Sequence, residues 1–101
     1  MPAYKAPLRD IRFVIYELLQ ADKLANSVPD YAEATPDVID AILEGAGTFC
    51  EEVLQPLNHP GDEEGCHFEN GVVTTPKGFR QAYAQFVEGG WPSLPCDPKY
   101  G

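Results

Sequence analysis

Apolar residues return every three or four positions in three separate stretches of this chain, the spacing that lines one side of an α-helix. In "APLRDIRFVIYELLQADKL" the stripe is Leu8, Ile11, Ile15 and Leu18, widened by Val14 and Leu19, while Arg9, Arg12, Glu17 and Asp22 fall elsewhere. The spacing predicts an amphipathic helix over about residues 8–20. In "ATPDVIDAILEGAGTFCEEVLQPLN" the recurring residues are Ile39, Ile42, Ala46, Phe49 and Val53. Thr35 is placed as an N-cap and Pro36 at the first helical position, where its missing N–H costs nothing, and Asp37 and Asp40 suit the positive end of the helix dipole. This predicts the longest helix, about residues 36–57, with Pro56 kinking or ending it. Gly45 and Gly47 weaken its middle by up to about 1 kcal/mol each relative to Ala, so they require a reason such as the close approach of another helix.

The third stretch, "TTPKGFRQAYAQFVEGGW", repeats the Thr-Pro opening, with Thr75 as N-cap and Pro76 at the first position. Phe79, Ala82, Tyr83, Phe86 and Val87 share a face, and Gly89-Gly90 is the stop. Between the first two helices, "ANSVPDYAEA" gathers turn formers and reads as a connector with a short turn of helix. In "CHFENGVVTT" two short β-prone arms flank Asn70-Gly71, the pair best suited to a type I′ turn because both central residues need positive φ. The tail "WPSLPCDPKYG" has three prolines and no periodicity. The fold class expected is therefore all-α: a small helical domain of about three helices with a short β-hairpin loop, residues 1–101 forming one domain.

Composition narrows the functions open to such a domain. With 44% apolar residues, including Trp91, five Phe and five Tyr, there is material for a packed core, although a chain of 101 residues buries a smaller share of its surface than a long one. The formal net charge is −9, and between Lys23 and Lys77 there are eleven Asp or Glu and no Lys or Arg. Such a surface is a poor partner for nucleic acid, whose phosphates are bound by Lys and Arg. The acidic middle reads as a solvated helix face or, more sharply, as a docking surface for a basic partner. Three irregularly spaced cysteines, Cys50, Cys66 and Cys96, with no secretory signal point to reduced thiols and a cytoplasmic location. No apolar run approaches the roughly 20 residues needed to span a bilayer.

The densest chemistry lies in "HPGDEEGCHFENG", residues 59–71. His59, Cys66 and His67 are of the types that bind zinc, but structural sites supply two close pairs of ligands, and neighbours on a strand point to opposite faces. "GDEEG" lacks the alternating oxygen ligands and distant glutamate of a calcium loop. A nucleophilic Cys66 would need a convergent base and an oxyanion hole, for which there is no signal. The structural alternative has Gly61 and Gly65 making tight turns, Asp62 satisfying backbone N–H groups, and Cys66 and Phe68 tucking one face of the hairpin against the helices. Elsewhere, Trp91 reads as a plug over the core, Tyr83 and Phe86 as core residues, and Arg80 as a surface residue. No catalytic, cofactor-binding or metal-binding residue is assigned.

The ordered string "EEVLQPLNHPGDEEGCHFENGVVTTPKGFRQAYAQFVEGGWPSLPCDPKYG" resembles the N-terminal region of flavin-dependent acyl-CoA dehydrogenases, in the long-subunit branch that includes the methylthiopropionyl-CoA dehydrogenase type. "YKAPLRDIRFVIYELL" is similar to the start of the same branch. The most specific elements are "PLN" at Pro56 to Asn58, "GD..GC" at Gly61 to Cys66, "GVVTTPKGF" at Gly71 to Phe79 and "GGWPSL" at Gly89 to Leu94. The resemblance implies α,β-dehydrogenation of an acyl-CoA thioester by a full-length protein: a glutamate takes the α proton, the β hydride passes to flavin N5, and an electron acceptor reoxidises the flavin. It implies FAD and acyl-CoA as ligands of that parent, its remaining domains as partners, and a possible homo-oligomer. The family's catalytic glutamate and flavin-holding residues lie in segments absent from these 101 residues, so no such role transfers to a residue here. The chain is then expected to be a fragment supplying helical scaffold and part of a cover over the site, inactive and flavin-free alone, with apolar helix faces only partly covered. The competing expectation is a stand-alone acidic interaction module without enzymatic activity; a metal-binding module on the crowded loop is a third.

Overall fold

A computed structural model describes residues 3–100. The first helix, α1, spans Leu8–Arg12 and continues without interruption as a π-helical turn, Phe13–Leu18. A short α2, Ala21–Asn26, and a 3-10 turn, Pro29–Tyr31, occupy the expected connector. Helix α3, Pro36–Phe49, runs through a second π-helical turn, Cys50–Leu54, into α4, Gln55–Glu64. Strands β1, His67–Glu69, and β2, Val72–Thr74, form a hairpin, followed by α5, Phe79–Glu88, and 3-10 turns at Trp91–Ser93 and Pro98–Tyr100. The all-α expectation with a minor hairpin holds. The residues divide into two compact units between Gln55 and Pro56.

In the first unit, α1 packs on α3 through the predicted stripes. Leu8, Ile11 and Ile15 from one side and Ile39, Ile42, Ala46, Phe49 and Val53 from the other are all half-buried. Gly47 is fully buried because the N-terminal strand of chain crosses it: a Cβ there would lie 3.2 Å from Ala6 Cβ and 3.6 Å from the Leu8 methyls. The close approach demanded by its poor helix propensity is therefore present. Thr35 caps α3 as expected, its hydroxyl accepting from the Val38 N–H at 3.4 Å.

Leu18 departs from its predicted place. It is 66% exposed, and Leu19 62%. The cause is the π turn, sealed by a bond from the Leu19 N–H to the Val14 carbonyl at 2.9 Å. A π turn holds one residue more than an α turn, so every later side chain rotates backwards around the axis. Tyr16 is carried toward α3 and Leu18 away from it. Gln20, at φ 50°, then ends the run.

Pro56 does not end the long helix. The Gln55 N–H bonds to the Cys50 carbonyl, the i to i−5 register of a π turn, so Pro56 enters just after a widened turn that accommodates its ring. Helical structure continues past Pro60 to Glu64, seven residues beyond the expected boundary. Gly61 therefore lies inside a helix rather than in a turn, and it is buried because a Cβ there would come within 2.6 Å of the Phe79 ring. Gly65, at φ 69°, makes the stop, with its N–H bonded to the Gly61 carbonyl at 2.8 Å.

The second Thr-Pro pair also differs from expectation. α5 begins at Phe79, with Gly78 before it at φ 88°, so Thr75 does not cap it and Pro76 is buried in the approach turn. The Lys77 N–H instead donates to Glu64 Oε2 at 2.8 Å, and the Leu57 side chain occupies the space a Cβ on Gly78 would need. The predicted stop at Gly89-Gly90 is present. Asn70 and Gly71 both have positive φ, at 54° and 78°, as a type I′ hairpin requires, and the register pairs Phe68 with Val73.

Candidate functional site

The crowded segment is drawn apart by the fold. His59 stands on the exposed side of α4, its Nε2 3.2 Å from Glu63 Oε1 one helical turn on. Cys66 is an exposed free thiol in the link after Gly65, and His67 opens β1. Among the described residues no group of three or more His, Cys, Asp or Glu side chains converges on one point. Phe68 is 74% exposed and Cys66 is exposed too, so the hairpin is not tucked against the helices as its alternation suggested. Its strands are only three residues each, too short to enclose a face of their own.

The other candidates are placed as follows. Phe86 is half-buried, but Tyr83, expected in the core, is exposed; the two rings lie 6.2 Å apart at a tilt of 41°. Arg80 is exposed on α5. Trp91 is half-buried and folds back over the end of α5, with its Nε1 2.8 Å from where a Cβ on Gly89 would stand.

A polar constellation in the first unit was not singled out in the sequence. Tyr16 donates its hydroxyl proton toward Asp40 Oδ1 at 2.8 Å, with the Pro36 carbonyl 3.2 Å away. Arg12 reaches Asp40 Oδ1 at 3.4 Å through Nε and Glu44 Oε1 at 3.3 Å through Nη2. The Tyr16 phenol is pushed above its ordinary range, first by desolvation, then by the proton it shares with Asp40 and by the charges of Asp40 and Asp22. Asp22 Oδ1 is itself enclosed without a hydrogen-bond partner. In the π-helical turn that follows α3, Glu51 accepts the Ala6 N–H at 2.8 Å. Part of the acidic middle is thus structural: Asp40 and Glu51 fasten the N-terminal segment to α3 and to the π-helical turn after it. The only signal in the sequence was the helical spacing of Asp40, Glu44 and Glu51 beside the buried stripe.

These groups clamp helices and present no reacting pair. An open cavity of about 440 Å³ lies against Arg9, Arg12, Phe13, Tyr16 and Glu17. Arg12 is engaged by two carboxylates there, and Glu17 would oppose an anion.

No protein-family profile matches the chain. Over 98 residues it is 43% identical to 3-methylmercaptopropionyl-CoA dehydrogenase of Ruegeria pomeroyi (strain ATCC 700808 / DSM 15171 / DSS-3), an alignment covering 97% of this chain and 16% of the relative. Its homologues are acyl-CoA dehydrogenases. Two butyryl-CoA dehydrogenases of Syntrophomonas wolfei subsp. wolfei (strain DSM 2245B / Goettingen) match at 37% and 33% identity over 92 residues, each covering 86% of this chain and 15% of the relative. The match is to the N-terminal part of the acyl-CoA dehydrogenases, and the chain spans about one-sixth of the length of the curated relatives it matches. Among the described residues no helix is long and apolar enough to cross a membrane.

Proposed function

We propose that these residues are the N-terminal helical domain of a longer FAD-dependent acyl-CoA dehydrogenase, and that they serve as scaffold and partial cover for an active site built elsewhere in that protein. The observation that carries this reading is the similarity over 97% of the chain to a relative about six times as long. The open helix faces support it. Among the described residues the buried apolar side chains are Ala82 and Pro76, whereas Phe13, Leu18, Leu19, Leu24, Tyr83 and Leu94 are among those left to solvent. Soluble monomers do not commonly leave so much of their helix faces bare.

The parent would dehydrogenate an acyl-CoA thioester with FAD as hydride acceptor, the flavin and the catalytic base being held by polypeptide outside these residues. The substrate is an acyl-CoA, and the partners are the remaining domains of the same protein. The reading is tested by the intact mass of the native gene product with its visible spectrum. A yellow protein several times larger than 11.1 kDa that oxidises acyl-CoA is the expected result. A colourless native product of this mass, associating with basic proteins in a salt-sensitive way, would overturn it in favour of an acidic interaction module. Flavin bound stoichiometrically by the 101 residues alone would overturn the assignment of a non-catalytic role.

A further inference from the structure

The turn that closes the hairpin carries chemistry of its own. The chain has three asparagines, Asn26, Asn58 and Asn70, and only Asn70 precedes a glycine. An asparagine side chain is open to attack by the backbone nitrogen of the next residue, and glycine obstructs that approach least because it has no Cβ. The fold treats the three differently. Asn58 lies inside α4, where helical bonding occupies the following N–H and fixes the backbone. Asn26 ends α2, and the Ser27 N–H is bonded to the Leu24 carbonyl at 3.0 Å. Asn70 and Gly71 are both exposed, and nothing lies within 4 Å of where a Gly71 Cβ would stand. Among the described residues neither the Gly71 N–H nor the Asn70 side chain has a hydrogen-bond partner. The flanking strands are three residues each and exposed throughout, so the tip can open locally and rotate into the geometry of attack at little cost.

We infer that Asn70 is a modification site at which the folded chain deamidates through its own backbone. The Gly71 nitrogen forms a bond to Asn70 Cγ, the bond from Cγ to the side-chain nitrogen breaks, and that nitrogen leaves as ammonia with the proton from Gly71. Water then opens the resulting succinimide at either carbonyl, leaving aspartate or isoaspartate; no group is oxidised or reduced. Either product adds a negative charge next to Glu69 in a chain of formal charge −9. Their structural effects differ. Asp-Gly fits a type I′ turn as Asn-Gly does, so the aspartate keeps the pairing of Phe68 with Val73. Isoaspartate puts an extra methylene into the backbone between Glu69 and Val72, which a two-residue turn cannot absorb, and the hairpin is lost.

The test ages the full native gene product in mildly alkaline buffer and maps its peptides by mass spectrometry, beside a sample unfolded in guanidinium chloride. The expected result is conversion at Asn70 to both products at a rate within about tenfold of the unfolded sample's, with Asn26 and Asn58 at least about tenfold slower than Asn70 in the folded protein. Amide exchange over residues 67–74 should be faster in the isoaspartyl fraction and unchanged in Asn70→Asp. Conversion that requires the denaturant would overturn the proposal by showing that the turn protects Asn70. Aspartate without isoaspartate would overturn it in favour of direct hydrolysis by water. Unchanged exchange in the isoaspartyl fraction would overturn the loss of the hairpin.

Discussion

Gly78 and Gly65 separate two costs that are usually confounded. Both have positive φ, at 88° and 69°, so an alanine at either is strained by about 1–2 kcal/mol. Only at Gly78 is the space also taken, with Leu57 Cδ2 2.7 Å from the new Cβ, while around Gly65 there is nothing within 4 Å. Gly78→Ala is therefore expected to destabilise by about 2 kcal/mol or more and Gly65→Ala by about 1 kcal/mol, read from urea midpoints. Tyr16 supplies a second prediction at this scale. Its folded-state pKa lies above the unfolded value of 10.0, so above pH 10 the folded chain holds a proton that the unfolded chain has lost. Stability should fall as pH rises from about 10 through the folded pKa. Unfolding midpoints at pH 8 and pH 10.5 should converge for Tyr16→Phe relative to the parent; an unchanged slope would mean that Tyr16 does not carry this alkaline loss.

Thr35 and Thr75 carry the same Thr-Pro signal, and the elements answer it differently. Thr35 caps α3, whereas Thr75 precedes a turn that ends at Gly78. Thr35→Ala should cost about 0.5–1 kcal/mol and Thr75→Ala less than about 0.5 kcal/mol, compared by thermal unfolding of the two variants. The stripes of α1 and α3 were legible because the apolar period and the packing agree: every residue of the α3 stripe is half-buried. Leu18 and Leu19 were not, because a period of three or four assumes α geometry and one extra residue in a turn cancels the prediction for all that follow. The passage of the helix through Pro56 was hidden for the same reason, since nothing in the residue types announces a π turn at Cys50–Leu54. The hairpin that His67 opens was legible in the Asn70-Gly71 pair. The Arg12, Tyr16 and Asp40 clamp was not, since its members are 24 and 28 residues apart in the chain.

At the scale of the whole molecule the open faces dominate. The 101-residue chain in isolation should bind an apolar dye such as anilinonaphthalene sulfonate at neutral pH without denaturant, and Leu18→Ser with Leu19→Ser should reduce that fluorescence. A chain that leaves the dye dark would show the faces to be covered within these residues. By itself the sequence determined what depends on neighbours along the chain: the three apolar periods, the Thr35 cap, the Asn70-Gly71 turn and the Gly89-Gly90 stop. Each of these is decided within a few residues by backbone sterics or by helical spacing. Tertiary structure alone decided which side of each helix is covered, why Gly47 and Gly61 must lack a side chain, and that Asp40 and Glu51 are anchors rather than solvated charges. Those outcomes depend on which segments meet, and they are settled by packing and by hydrogen bonds between residues far apart in the chain.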